Sequence, residues 1–421
     1  MGRYVAFIIM GFFISTSTLR MQANRYTSAS VNNFSTKYKK LVLRNIANTG
    51  ATVALNALTV NINTTAGVSN RPLDGGTYSY FIERQQDDPN LGPTEIRVTS
   101  ISRFLGMTDT IIVLLTRPSF SRYAYFTNHE GNIWFATGDT IYGPCHTNTY
   151  FQMMGQPVFY GKVTSSRVYN SHSPYRKYYH GSTNPQFLGG TEWGVPELPM
   201  PDHIPQDLID ASQNGGIYIS KRHVWIQFLS NGRVKIAAKN SPSPPHSWQY
   251  TTYNLNSING VIYVNNWGAR PVVRVKGTVN GNVTVGTRGY IRITDDIVYA
   301  DDPRTNPSSN DMLGLVAERD VIVANNHHDQ DRTIQASIMT LNPSVAPNKN
   351  FWVDRYKNDR YGRLHLLGGL IQNSRGAVGL VGSYWSRKGY LKDYHWDSRL
   401  MKMNPPYFPT LFALKKISWW E

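Results

Sequence analysis

The chain contains one cysteine, Cys145, in 421 residues. That excludes an intrachain disulfide, and its distance from the start excludes a lipid-modified N-terminal thiol. Proline and acid are missing from a long first stretch. The first proline is Pro72 and the first acidic residue Asp74, although the whole chain holds 23 prolines and 27 acids. Without proline nothing there removes a helical hydrogen bond. Without acid, the basic residues Arg3, Arg20, Arg25, Lys37, Lys39, Lys40, Arg44 and Arg71 carry half of the net charge of +16. No glycine-rich loop precedes a helix in the arrangement that cradles phosphate, so the common nucleotide-binding signatures are excluded. Two-residue hairpin turns are scarce in the C-terminal half, where Asn280-Gly281 is the best argument for one.

What the start does contain is an apolar run, Tyr4 to Ile14, behind a basic residue. It is shorter than the ~20 residues that cross a hydrocarbon core unaided. Its length suits the apolar segment of a secretory signal, with Ser15 and Ser17 as small residues for cleavage but no clear A-x-A. A transit peptide would interleave its basic residues with the apolar ones; here they flank them. Export with the segment kept as an anchor is therefore expected, the anchor being Val5, Phe7, Ile8, Ile9, Phe12, Phe13 and Ile14. Val31, Phe34, Tyr38, Leu41, Val42, Ile46, Val53, Ala54, Ala57 and Leu58 then fall near three- and four-residue spacing, on one face of a helix. Gly11 and Gly50 are its interior breakers, each costing roughly 1 kcal/mol against alanine. A helix from Val5 to Leu58 would be about 80 Å long at ~1.5 Å per residue. The alternative is two helices, a cleaved signal and one docked on a core.

From Thr59 the period becomes that of strands: Thr59–Asn63, Glu95–Thr99 and Thr110–Leu114. With 40% hydrophobic residues the chain can bury a core, and Gln206–Ser212 is the best short helix candidate. The C-terminal half repeats short strand, polar turn, short strand: Gly260–Asn265, Pro271–Gly277, Asn282–Gly286, Tyr290–Thr294, Ile297–Ala300, Leu313–Ala317, Asp320–Ala324, Thr333–Ile338, Arg363–Ile371 and Ala377–Val381. Such strands at about ten-residue spacing suit a parallel β-solenoid, with a sandwich as the alternative. The expected fold class is mainly β, a parallel β-helix or solenoid preceded by a long hydrophobic N-terminal α-helix. The expected division is 1–58 anchor and helix, 59–130 β-rich connection, 131–400 solenoid with a loop insertion near 168–212, and 401–421 a C-terminal tail or cap. Ser182–Pro205 is the expected interruption, and Trp396, Trp419 and Trp420 are expected to cover an end of the solenoid.

Several pieces carry a resemblance. They are Gly143-Pro144-Cys145-His146-Thr147-Asn148, Gly155–Val163, Gly260–Val264, Asp295–Pro303, Ser309–Ala317, Arg375–Gly379, Tyr394–Leu400 and Pro405–Pro409. From about Gly131 to Pro409 the chain resembles an uncharacterised bacterial envelope family, a domain of unknown function attached to pilin-like N-termini of the minor pilins in type IV pilus and type II secretion systems. Asn45–Ala51 resembles the small-residue helix segment that precedes their globular domain. The resemblance implies a bacterial cell-envelope location, a membrane-anchored chain with its β domain outside the cytoplasm, and other pilin-like subunits as partners. The start departs from the pattern: Gly2 stands where the leader would end, but Arg3 follows it and Phe7 holds the place of the expected glutamate. These departures argue against a major filament subunit and for an accessory or minor component, or a merely anchored relative.

For chemistry, Asp295, Asp296, Asp301 and Asp302 with Arg304 are the acids that a Ca²⁺-dependent, polysaccharide lyase-like solenoid would use. Asp and Asn also populate turns for local hydrogen-bonding reasons, and that reading is preferred. His327-His328-Asp329-Gln330-Asp331 invites a metal, but adjacent strand histidines point to opposite faces, so a solvated loop is preferred. Cys145 beside His146 suggests a thiol nucleophile, with a buried turn the better reading. Tyr169 to His180 interleaves aromatic and basic side chains, and Tyr175, Arg176, Lys177 and Tyr178 are the candidates for contact with an acidic glycan or DNA. The expectation is a non-catalytic structural or adhesive protein without cofactor, metal or small-molecule substrate. The alternative is a secreted carbohydrate-active solenoid enzyme or a polyanion-binding adhesin.

Overall fold

The computed structural model describes residues 2–62, 64–84, 87–92, 94–178, 182–324, 330–342, 349–380, 388–412 and 414–420. Helix α1 runs unbroken over Gly2–Val60, with no break between the apolar run and the stretch that packs on a sheet. Thr59 and Val60 lie in its last turn and do not open a strand; Asn63 lies outside the described residues. The described chain forms two compact units, Met1–Arg117 with Phe412–Glu421, and Pro118–Leu411.

The smaller unit is an antiparallel sheet of β1 (Val68–Leu73), β2 (Gly76–Glu83), β3 (Glu95–Phe104), β4 (Met107–Thr116) and the C-terminal strand Lys415–Trp420, in that order. The alternation expected at Glu95–Thr99 and Thr110–Leu114 puts Ile96, Val98, Ile111 and Val113 on its buried face. Against that face lies the last third of α1, through Leu43, Ile46, Ala47, Gly50, Ala51, Ala54 and Leu58. Val31, Phe34, Tyr38, Leu41 and Val53, expected on the same face, are exposed. The first four precede the docked stripe, and Val53 points away from it. Trp419 and Trp420, expected at an end of the solenoid, pair with Val113 and Ile112 as members of this sheet.

In the larger unit most strands stack parallel, each bringing one apolar residue into register with the last. One column runs Ile217, Ile262, Val285, Leu315, Ile338, Leu370, Tyr125, Cys145, Val163. A second runs Ile297, Ile334, Leu366, Tyr394, Ile141, Phe159, Phe187. A third runs Val224, Val273, Ile291, Val321, Phe351. The expected strands are present, with Tyr290–Tyr299 continuous where two were expected; Val381 lies outside the described residues. Asn280-Gly281 makes no hairpin. The strands on either side of it pair in different columns, and Gly281 (φ 129°) turns the corner between them. A tight hairpin lies instead at Ser230-Asn231-Gly232, joining the antiparallel strands His223–Leu229 and Arg233–Lys239.

Spatial order departs from chain order. The chain enters the stack at Tyr125–His129, builds outward to Thr191–Trp193, crosses through 194–205 and helix α2 (Gln206–Gln213), and resumes at Ile217–Ile219. It then returns strand by strand until Arg360–Ser374 and Lys388–His395 pair with the strands at its own beginning. Trp396, expected at an end, donates its backbone N–H to Tyr142 at this internal junction. Buried charges clamp the junction. Arg375 meets Glu130 at 2.9 Å and Lys392 meets Asp139 at 2.5 Å, each pair more than 240 residues apart in sequence.

Candidate membrane anchor and surface sites

The sequence Tyr4–Ile14 forms helix because aliphatic and aromatic side chains without proline leave its backbone bonds intact. Val5, Phe7, Ile8, Ile9, Phe12, Phe13 and Ile14 are all exposed. The hydroxyls that follow need no outside partner: Thr16 donates to the Phe12 carbonyl at 2.8 Å and Thr18 to the Ile14 carbonyl at 3.0 Å. A helix from Gly2 to Leu19 is about 27 Å long at ~1.5 Å per residue, close to a hydrocarbon core of ~30 Å. By length and composition α1 can cross a membrane.

At its other end α1 comes unusually near the sheet. A Cβ added to Gly50 would lie 2.4 Å from the Ser100 hydroxyl and 3.0 Å from the Tyr78 ring. Ser100, on the buried face of β3, donates across this gap to the Ala47 carbonyl at 2.8 Å. Arg44 pairs with Asp109 at 2.7 Å at the edge of the contact. The small residues of Asn45–Ala51 thus permit close backbone approach, a reason the sequence reading did not supply for Gly50.

The aromatic–basic segment is partly committed to its own unit. Tyr175 turns inward, its ring centroid 5.8 Å from Phe187 and 6.3 Å from Trp193, and burial raises its phenol pKa. Arg176 donates to Gln152 and Asn132, both at 3.2 Å, and its guanidinium lies 5.3 Å from the Trp134 ring centroid. Tyr178 meets the same indole edge-on at 5.1 Å. Lys177 is exposed, with its ammonium 5.6 Å from the Tyr175 ring. Tyr179 and His180 lie outside the described residues. Trp134, some forty residues away in sequence, is the organising member that reading the segment alone missed.

The candidate acids hold neighbouring side chains. Asp295 and Asp296 both accept from Arg332, at 2.9 and 3.1 Å. Asp302 accepts from Arg304 and Gln335, and the Arg304 hydrogen bonds draw its pKa down to about 2. Asp301 accepts from Asn306 at 2.7 Å. Among the described residues no cluster of three His, Cys, Asp or Glu could hold a metal ion; His327, His328 and Asp329 lie outside them. Cys145 and His146 sit in a buried strand, not a turn, and strand geometry sends them to opposite faces. Cys145 joins the inner apolar column, where burial pushes its thiol pKa well up. His146 bonds Thr164 at 2.8 Å and Asn148 at 2.9 Å, with its pKa lowered by burial.

The domain of unknown function DUF4900 matches residues 95–167, from β3 into the first strands of the larger unit. This overlaps the front of the region expected from Gly131 to Pro409. No curated protein matches the chain. Among solved structures, the competence-associated pilin ComZ from Thermus thermophilus is similar at 12% identity over 90% of this chain and 97% of its own. The TM-score is 0.34, a likeness too loose to carry an argument.

Proposed function

We propose that this is a single-pass, pilin-like protein of the bacterial envelope, an accessory or minor component of a pilus or secretion machine. The observation that carries the reading is α1 itself. Its apolar first turns are bare, while its last third is fitted to a sheet by small residues. A solvent-exposed run of this kind is stable only where lipid or a neighbouring apolar helix covers it. Residues 4–14 are the anchor in this reading, with the β units outside the cytoplasm. The parallel columns of residues 118–411 support a β-solenoid that serves as an adhesive or scaffolding body.

Mass spectrometry of fractionated cells tests the anchor. A mature chain beginning at Gly2 or Arg3, in the membrane or sheared-filament fraction, is the expected result. A soluble chain beginning near Thr18 would make the apolar run a disposable signal and end the proposal.

A further inference from the structure

The larger unit contains a hollow of about 340 Å³ beside the turn that carries Trp267. This is the small end of the ~300–1,000 Å³ typical of ligand pockets, with room for one sugar-sized ring. Trp267 is 82% exposed, so the face of its ring is open at the hollow. Arg288 stands 5.5 Å from the ring centroid and 3.8 Å from the Glu318 carboxylate. Glu318 also accepts the Ile204 N–H at 3.2 Å. Arg319 reaches Asn342 at 3.5 Å. Arg270 lines the same hollow, and its side chain has no hydrogen bond or ion pair among the described residues.

Three arginines, Arg270, Arg288 and Arg319, therefore line the hollow with the open indole, and its one carboxylate, Glu318, lies 3.8 Å from Arg288 and 3.6 Å from the His203 imidazole. Guanidinium is the side chain that grips a planar carboxylate through two parallel hydrogen bonds. An indole face receives the apolar face of a sugar ring, and the polar edge of that ring then needs acceptors as well as donors. Glu318 supplies an acceptor for the hydroxyl groups of such a ring.

We propose that this hollow binds a carboxylate-bearing sugar unit of an acidic polysaccharide, with the ring on Trp267 and the carboxylate on Arg270. The site does not rest on the anchor reading: binding in detergent solution reports on the hollow, and membrane partition reports on α1. The test is calorimetric titration of the full-length protein in detergent with galacturonate and with its neutral counterpart, galactose. Saturable galacturonate binding is expected, at least tenfold tighter than galactose, with Trp267→Ala and Arg270→Ala each weakening it at least tenfold. Trp248→Ala, which removes another exposed indole outside the hollow, should leave the affinity unchanged. Equal binding of the two sugars would overturn the proposal. So would the absence of galacturonate binding, or a single-stranded oligonucleotide that binds more tightly and is insensitive to Trp267→Ala.

Discussion

Replacing Arg375 with methionine keeps the apolar stem and removes the charged head at the junction where the two ends of the stack meet. The side chains of Arg375 and Glu130 are only 3% and 2% exposed. The guanidinium donates to Glu130 at 2.9 Å and to the carbonyls of Ile133 and Trp134 at 3.1 and 3.3 Å, and lies 3.7 Å from the Phe135 ring centroid. In Arg375→Met the Glu130 carboxylate stays buried, hydrogen-bonded to the Tyr125 and Thr127 hydroxyls but without its ion-pair partner. Breaking one side of a buried pair costs about 3–5 kcal/mol. At 1.4 kcal/mol per decade, that is roughly two to three and a half decades of amide protection. The loss should appear by hydrogen exchange in the strand Tyr125–His129, which pairs with Arg360–Ser374 beside the clamp. Glu130→Gln added to Arg375→Met removes the stranded charge and should restore at least half of the protection. A loss below tenfold in the single variant, or a double variant no better protected, would refute the clamp.

Gly50→Ala should weaken helix docking by about 1–3 kcal/mol, the usual cost of overpacking, because its Cβ would fall 2.4 Å from the Ser100 hydroxyl. Faster tryptic cleavage at Arg44 is the readout; unchanged cleavage would mean that the close approach is not required. His365 bonds Asp393 at 2.6 Å through Nδ1 and Asp331 at 3.1 Å through Nε2. Burial pulls its pKa down, but the two carboxylates outweigh it, so the imidazole titrates above 6.5. A raised folded pKa stabilises fully below the unfolded value, and that contribution is lost as pH rises through the folded one. The stability difference between wild type and His365→Gln should therefore shrink from pH 5.5 to pH 8.5, as followed by urea unfolding. A difference that grows with pH would contradict the assignment.

The long helix was legible because missing proline and missing acid are facts about a whole stretch, and they extend over many turns. The strands from Val261 onward were legible from alternation and β-branched residues. The turn at Asn280-Gly281 misled because the same dipeptide serves a corner as well as a hairpin, and only the pairing partners distinguish them. Val31 to Leu41 were misplaced for a related reason: apolar spacing defines a face but does not say whether anything packs against it. The clamps Arg375–Glu130 and Lys392–Asp139 could not be seen at all, since they join residues brought together by a chain that returns to its own beginning. Trp267 was passed over because Asn-Asn-Trp-Gly-Ala-Arg reads as an ordinary turn until Arg288 and Glu318 arrive from the bends that follow neighbouring strands.

The strand Lys415–Trp420 completes the sheet of the smaller unit by pairing with β4, and everything from Pro118 to Leu411 lies between them in sequence. Where the chain enters and leaves that larger unit it is pinned, with the Leu411 N–H donating to the Pro118 carbonyl at 2.8 Å. Topologically, the whole larger unit is the loop of one β-hairpin. Closing a flexible loop of that length would cost about 4 kcal/mol more than closing a tight turn, from the (3/2)RT ln n dependence. Once the larger unit has folded, its ends are already adjacent and most of that entropy has been removed. During synthesis β4 therefore waits as an open edge for its last neighbour, and the sheet of the smaller unit is completed after the larger unit is built. An unfinished body would leave that edge unpaired, so completion of the sheet reports that the rest of the chain has folded.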